Sequence, residues 1–190
     1  MKKVAVLVSG GGTNLQALLD SGIEISLVIS SRGDAYALTR AKEHGVPTAV
    51  LEWVAYNKDR DSFSRDIMEL LIQHNIDLVV YAGFMVILSD CVCKAYENAM
   101  LNVHPSLLPA FCGEGYYGIK VHKAALERGV KISGATVHIV NEVCDGGPIV
   151  MQKAVDVLEG DTPESLQARV MEAEREILPK AVKLMLGSES

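Results

Sequence analysis

Short apolar runs alternate with longer segments of helical periodicity along the first hundred residues, and this alternation limits the possible folds more than any other feature. The apolar runs occupy residues 3–9, 25–31, 48–52, 77–83 and 100–104. Strands that are joined through helices pair in parallel, whereas antiparallel neighbours need only a short turn. The first part of the chain therefore predicts an α/β fold, with a doubly wound parallel sheet and helices on both faces.

The alternation of strands and helices changes after residue 105. The elements predicted there are a loop rich in glycine and aromatic residues, a helix and two strands, over 109–118, 119–128, 132–140 and 148–157. Only NEVCDGG separates the two strands, which indicates an antiparallel edge on a mainly parallel sheet. A final helix is predicted from Thr162, with Pro163 at its first position, to about Leu186. We find neither repeats nor a linker, so a single domain over 1–190 is expected.

Composition restricts the classes of partner. The chain has 190 residues, 49% of them hydrophobic, and a net charge of −6, which suits a globular domain and disfavours a nucleic-acid surface. No run approaches the ~18 apolar residues of a membrane helix, and the first apolar run breaks into glycines instead of reaching a signal cleavage site. The cysteines, which show no metal-ligand spacing, are Cys91, Cys93, Cys112 and Cys144. We expect a cytoplasmic protein that binds no membrane and no metal.

The segment SGGGTN (9–14) lies between the first strand and the first helix. Its glycines let backbone N–H groups approach an anion, and the dipole of the following helix favours negative charge. Leu15 replaces the third glycine of a dinucleotide fingerprint, and no Walker Gly-Lys-Ser/Thr follows. The second strand ends in Ser30, Ser31 and Arg32 and lacks an acid for a ribose diol, so a monophosphate is favoured over a dinucleotide. The alternative interpretation, a tight turn between strand and helix that binds no ligand, stays open.

Asn102 and His104 end the fifth predicted strand, and because they are two residues apart they project to the same side. Ligands of open α/β sheets bind at such strand ends. In VNEVCDGG (140–147), Asp145 precedes two glycines, which can bring its carboxylate close to other backbone. These three side chains are candidates for an active site, and a buried structural pair with a solvated turn Asp is the alternative. His138, inside a predicted strand, is interpreted as a core histidine.

Five segments follow one another in the order SGGGTNLQALL, LVVYAGFMVILS, LNVHPSLLPAF, GATVHIVNEVCDGGPIV and ARVMEAEREILP. Together they resemble the phosphoribosylglycinamide formyltransferase family of folate-dependent enzymes. The combination of N-x-HPSLLP with the later DGGP is the most specific part, and the resemblance covers nearly the whole chain. It implies a Rossmann-like formyltransferase fold. It also implies transfer of a formyl group from 10-formyltetrahydrofolate to the amine of 5-phosphoribosylglycinamide in purine biosynthesis.

The resemblance implies roles for the matching residues. Asn102, His104 and Asp145 match the catalytic trio of the family. The implied substrate-binding residues are Gly11, Gly12, Thr13 and Asn14 for the phosphate and Glu174 for the ribose. The implied residues for the folate cosubstrate are Arg60, Met85, Val86, Ile87, Leu88, Asn141, Glu142, Val143 and Cys144. Val86 and Met171 depart from the family pattern, which often has an arginine and a polar residue at these two positions.

The implied chemistry explains why such side chains are needed. When an amine attacks a formyl carbon, the carbonyl oxygen becomes an oxyanion that hydrogen-bond donors must stabilise. Asn102 offers a neutral donor, and His104 offers a charged one if it is protonated. A free imidazole has a pKa of about 6.5, and a neighbouring carboxylate raises that value. We therefore expect Asp145 to raise the pKa of His104 and keep its ring protonated, so that Asn102 and His104 both stabilise the oxyanion. We also expect Asp145 to help order a water that moves protons.

Other functions stay open on the sequence alone. A formyltetrahydrofolate hydrolase uses a similar core with water as the acceptor, and its known members carry a regulatory domain. A methionyl-tRNA formyltransferase shares the HPSLLP-type core and carries a nucleic-acid-binding domain. A non-catalytic phosphate-ligand sensor would keep the fold, but it has no need of Asn102, His104 and Asp145 together. We expect a monomer or homodimer that acts on small molecules.

Overall fold

The computed structural model describes residues 2–187, and in this part of the chain seven strands form one sheet. The strands are β1 (Val4–Val8), β2 (Ile25–Ser30), β3 (Thr48–Val50), β4 (Leu78–Tyr81), β5 (Met100–His104), β6 (Ile132–Ile139) and β7 (Ile149–Asp156). Their order across the sheet is β3-β2-β1-β4-β5-β6-β7. The strands β1 to β5 pair with one another in parallel, whereas β6 pairs antiparallel with β5, and β7 pairs antiparallel with β6. The predicted mainly parallel sheet with an antiparallel edge is confirmed.

Helices cover both faces of the sheet. They are α1 (Thr13–Asp20), α2 (Tyr36–Glu43), α3 (Arg60–Gln73), α4 (Asp90–Ala95), α5 (Ile119–Arg128) and α6 (Pro163–Leu186). A short 3-10 helix, Trp53–Tyr56, follows β3 and is not indicated by the periodicity of the sequence. The domain predicted over 1–190 also includes Met1 and residues 188–190, which lie outside the described residues.

Strand β1 shows how alternation divides the core. Val4, Val6 and Val8 pack into a buried cluster with α1, α2 and α6, whereas Ala5 and Leu7 pack on the other face with α3. Every residue of β1 is buried, as is typical of a parallel strand with helices on both faces.

The order in which successive strands are added to the sheet reverses at β1. Strands β2 and β3 lie on one side of β1, and β4 lies on the other. The segments that leave the carboxyl ends of β1 and β4 therefore diverge and open a crevice between them. Ligands of open α/β sheets bind at such a reversal.

Polar side chains occupy one face of the sheet beyond this crevice. Leu101 and Val103 of β5 pack into the cluster that contains α6, so Asn102 and His104 lie on the opposite face. The antiparallel register places His138 of β6 directly beside Asn102. The fold therefore brings together two histidines and an asparagine from neighbouring strands.

Candidate active site

A cavity of about 650 Å³ runs from the crevice between β1 and β4 to the polar side chains of β5 and β6. Its walls come from residues 10–14, 81–88, 102–105, 113–118 and 140–145 and from one face of α6. Every residue predicted from the sequence to be catalytic or to bind substrate or cosubstrate lines this cavity. The fold thus gathers residues that are far apart in the sequence, while the role of each stays a prediction.

The glycine segment that leads from β1 to α1 needs glycine for a steric reason. Gly12 has a φ of +72°, and a Cβ built on it would lie 2.6 Å from the Cβ of Ala37. The Ala37 N–H donates to the carbonyl oxygen of Gly10 (3.0 Å), which holds α2 against the segment. The first turn of α1 begins at Thr13 and leaves backbone N–H groups for an anion.

A buried acid faces this segment from α6. Asn14 Nδ2 donates to Oε2 of Glu174 (2.8 Å), while Asn14 Oδ1 is buried without a hydrogen-bond partner. Burial raises the pKa of Glu174, and the hydrogen bond from Asn14 opposes this shift. Met171 lines the same wall with an apolar side chain. The pair of Asn14 and Glu174 can therefore bind polar groups such as the hydroxyls of a sugar.

A carboxylate lies at the centre of the polar cluster on β5 and β6. Asp145 Oδ2 is 3.5 Å from Nδ1 of His104, and its Oδ1 is 3.6 Å from Nε2 of His138. Asn102 Nδ2 donates to Oδ1 of Asp145 (3.4 Å) and lies 3.1 Å from Nε2 of His138. One acid is thus shared by two imidazoles and an amide, an arrangement able to hold and move a proton beside a hydrogen-bond donor.

Two glycines let the loop 141–147 fold back onto this cluster. A Cβ on Gly147 would lie 1.8 Å from the carbonyl oxygen of Ile139, and one on Gly146 would lie 2.5 Å from Cγ1 of Val143. Asp145 itself has a φ of +53°, a left-handed conformation that Asp adopts more readily than most residues. The DGG sequence is therefore what brings the carboxylate to His104.

The loop 111–118 is attached to the same catalytic candidates. His104 Nε2 donates to the carbonyl oxygen of Phe111 (2.8 Å), and the N–H of Gly113 donates to Oδ2 of Asp145 (2.9 Å). Residues 113–118 line the cavity, so this loop closes one side of it.

Two segments form a slot deeper along the crevice. Val86 and Leu88 are buried in the core cluster around Phe63, whereas Met85 and Ile87 are exposed, and all four residues line the cavity. Asn141 Oδ1 accepts the N–H of Val143 (3.0 Å) and shapes the opposite wall. The two segments thus present backbone polar groups together with apolar side chains, a combination that suits a flat ring with polar edges. Arg60, the first residue of α3, lines the slot with a positive charge.

Comparison with known proteins identifies the family to which this fold belongs. Residues 2–182 match a family model described as formyl transferase. The chain belongs to the formyl transferase family. The similarity to phosphoribosylglycinamide formyltransferases predicted from the motifs is confirmed by relatives that bear this name. The phosphoribosylglycinamide formyltransferase of Haemophilus influenzae is 41% identical over 191 residues, which are 96% of this chain and 86% of that protein.

Other relatives of this chain are longer or are known as structures. The trifunctional purine biosynthetic protein adenosine-3 of Gallus gallus is 43% identical over 96% of this chain, which spans only 18% of the length of that protein. The crystal structure of glycinamide ribonucleotide transformylase 1 from Symbiobacterium toebii has a TM-score of 0.91 and 42% identity. That match covers 98% of this chain and 89% of the other.

His138 lies in the candidate site, which the sequence did not reveal. The sequence predicts a core residue, and His138 is indeed buried, but it contacts Asn102 and Asp145 and lines the cavity. Its Nδ1 donates to the carbonyl oxygen of Ile139 (2.8 Å), which leaves Nε2 facing the cluster. The signal that could have found it is the pairing of β5 with β6, because strand alternation then places it beside Asn102.

Asp145 raises the pKa of His104 as expected, but the expectation of a protonated His104 is wrong, because the net shift of its pKa is downward. Burial lowers the pKa of His104, and Asp145 and the Phe111 carbonyl raise it without compensating. Burial raises the pKa of Asp145, but the neighbouring imidazoles of His138 and His104 and the Gly113 N–H together bring the pKa below its usual value. At neutral pH the site therefore holds an ionised carboxylate beside a neutral imidazole.

The cysteines at the cavity are unsuited to nucleophilic chemistry. Burial raises the pKa of the thiols of Cys93 and Cys144, which line the cavity, and Asp145 raises that of Cys144 further, so both stay protonated at neutral pH. Within residues 2–187, no three His, Cys, Asp or Glu side chains are arranged to hold a metal ion. The same part of the chain has no helix with the length and apolar composition needed to cross a bilayer.

Proposed function

We propose that this protein transfers the formyl group of 10-formyltetrahydrofolate to the primary amine of 5-phosphoribosylglycinamide, a step of de novo purine biosynthesis. The observation that carries the proposal is a continuous cavity that joins an anion-binding helix start to the Asn102–His104–Asp145 cluster. The names of the relatives support the choice of amine acceptor.

The substrate fits along the cavity in one direction. The phosphate binds the backbone N–H groups at Gly11 to Thr13, and the Thr13 hydroxyl is a further donor. The ribose hydroxyls bind Glu174, whose buried carboxylate lies 2.8 Å from Asn14 Nδ2. The glycinamide arm then extends toward Asn102. The pteridine ring of the cosubstrate occupies the slot between 85–88 and 141–145, with its acidic tail toward Arg60.

The resting protonation of the site suits an amine nucleophile. The amine nitrogen forms a bond to the formyl carbon, and its released proton passes to the neutral imidazole of His104, directly or through a water beside Asp145. The formyl oxygen becomes an oxyanion that accepts a hydrogen bond from Asn102. The new imidazolium is stabilised by the Asp145 carboxylate.

Collapse of the intermediate completes the transfer. The bond from the formyl carbon to N10 of the folate breaks, N10 takes the proton from His104, and the formamide carbonyl reforms. His104 is then neutral again, so one turnover balances. Removal of one oxyanion donor typically costs ~10²–10³ in rate, which sets the expected effect of Asn102→Ala.

A coupled assay tests the proposal. The protein is mixed with 10-formyltetrahydrofolate, and release of tetrahydrofolate is followed with and without 5-phosphoribosylglycinamide. We expect turnover only with the amine, and a loss of at least about a hundredfold in His104→Asn. His74→Asn is the matched control, because His74 lies at the end of α3, where its Nδ1 donates to the carbonyl oxygen of Leu70. Equal turnover without the amine would indicate a hydrolase, and binding without turnover would indicate a sensor.

A further inference from the structure

Arg40 lies on α2 directly behind the glycine segment, and it does not line the cavity. Its Nε donates to the carbonyl oxygen of Gly11 (2.9 Å), and its Nη1 donates to Oε1 of Gln16 (3.0 Å). Its guanidinium carbon lies 5.0 Å from the centre of the Tyr36 ring. The planar guanidinium group is thus held by three contacts, which fix its orientation toward the carbonyl oxygen of Gly11.

The contact with Gly11 determines where the next amide points. A trans peptide is planar, and its C=O and N–H point in opposite directions. Because the Gly11 oxygen points outward to Arg40, the N–H of Gly12 points to the opposite side, where the cavity lies. Within residues 2–187, no protein acceptor receives this N–H.

The charge of Arg40 is also available to a ligand. Both of its hydrogen-bond partners are neutral, and none of the ion pairs among the described residues includes it. Of the described residues that line the cavity, Arg60 is the only Arg or Lys, and it lies on α3 across the sheet. A phosphate monoester carries a charge of about −1.5 to −2 at pH 7. The guanidinium behind Gly11 is therefore the positive charge built into this end of the cavity.

We propose that Arg40 is the positioning residue of the phosphate site: it holds the Gly11 carbonyl outward so that the Gly12 N–H is presented to a phosphate monoester. The inference rests on the proposed function for the identity of the substrate, although the chemistry it assigns is only that of a sugar phosphate. The glycine segment itself does not depend on Arg40 for its course. The Ala37 N–H to Gly10 oxygen bond and the close packing of Gly12 on Ala37 hold it independently.

The test is the affinity of the intact protein for ribose 5-phosphate, measured by calorimetry, in Arg40→Met, Arg40→Lys and the control Lys42→Met. Lys42 is exposed on the same helix, so its replacement makes the same change of charge. We expect Arg40→Met to weaken binding roughly tenfold, in line with the loss of a hydrogen bond to a charged group. Arg40→Lys should be intermediate, because one ammonium keeps the charge and lacks the fork. Lys42→Met should bind like the unmodified protein.

Kinetics separate positioning from a general structural effect. Arg40→Met should raise the KM for the ribonucleotide by a similar factor, with kcat and the KM for the folate within about twofold. Its affinity should also depend less steeply on salt than that of the unmodified protein. Unchanged affinity for ribose 5-phosphate, or equal losses for the ribonucleotide and the folate, would overturn the inference. If Arg40→Met does not fold, the comparison of Arg40→Lys with the unmodified protein decides. Ribose 5-phosphate binding needs no reaction, so this result stands apart from the formyl-transfer assay.

Discussion

Replacement of Asp145 by asparagine isolates the charge at the centre of the site. The backbone at Asp145 has a φ of +53°, which asparagine adopts readily, so the loop keeps its course. The amide oxygen can still accept the Gly113 N–H, which donates over 2.9 Å in the unmodified protein. What disappears is the negative charge 3.5 Å from Nδ1 of His104.

The size of the effect follows from that distance. Asp145 raises the pKa of His104 against the effect of burial, so its neutralisation lowers the pKa further. An opposite charge within about 4–6 Å shifts a pKa by ~1–3 units, and each unit is ~1.4 kcal/mol. We expect the pKa of His104 to fall and kcat to be reduced about 10- to 100-fold, since the imidazolium formed during transfer loses that stabilisation. The KM for the ribonucleotide should change little, because its phosphate binds at the other end of the cavity.

The assay is an NMR titration of the imidazole signals together with a pH profile of kcat. The chain has five histidines, and His104→Asn identifies the signal that is needed. The acid limb of the profile follows the His104 pKa, because the neutral ring accepts the proton, so it should move to lower pH in Asp145→Asn. Asp34→Asn, at an exposed pair with Arg32, is the control. An unchanged His104 pKa would leave Asp145 a positioning role alone, and a raised one would contradict the electrostatic reasoning.

Three further predictions concern neighbouring residues. Gly147→Ala should reduce kcat by ~10² while thermal unfolding stays cooperative, because its Cβ would lie 1.8 Å from the Ile139 oxygen and displace the carboxylate; steady-state kinetics with a melting curve tests this. Burial and the nearby charge of His104 lower the pKa of His122 to about 4, so the folded state resists its protonation and stability is lost as the pH falls below about 6.5. His122→Asn should therefore lose about 2–3 kcal/mol less unfolding free energy between pH 7 and 4.5 than the unmodified protein in urea titrations, and equal losses would refute the assignment. Val86→Ala should lower the unfolding free energy by about 1–2 kcal/mol, because Val86 packs in the core, yet change the folate KM less than about threefold; a larger change in KM would mean that the side chain contacts the cosubstrate.

Local patterns along the chain determine much of this fold. The run VAVLV has apolar residues on both sides of a strand, which is typical of a buried strand of a parallel sheet, and β1 is fully buried between β2 and β4. The positions of Asn102 and His104 on one side of β5 follow from alternation in the same way. In each case the information lies within a few neighbouring residues.

The features of the site that sequence patterns did not predict depend on contacts between distant segments. The role of His138 depends on its register with Asn102, which the periodicity of β6 alone does not contain. The lowered pKa of His104 depends on burial by several loops, whereas a sequence reveals only its pairing with Asp145. The contact of Arg40 with Gly11 joins two elements 29 residues apart. Sequence patterns identify the chemical groups of a site more readily than the contacts and burial that set the pKa values of those groups.

The loop 111–118 is fastened by the two side chains that carry the proposed proton transfer. Its opening breaks the bond from His104 Nε2 to the Phe111 oxygen and the bond from Gly113 to Asp145. At about 1 kcal/mol each, these two bonds add about 2 kcal/mol to the packing of Phe111 on the core in favour of the closed loop. Entry of a ligand from this side therefore requires the same opening that breaks the contacts of His104 and Asp145 with the loop. A substitution that loosens the loop speeds ligand exchange and, by the same broken bonds, leaves the imidazole and the carboxylate misaligned.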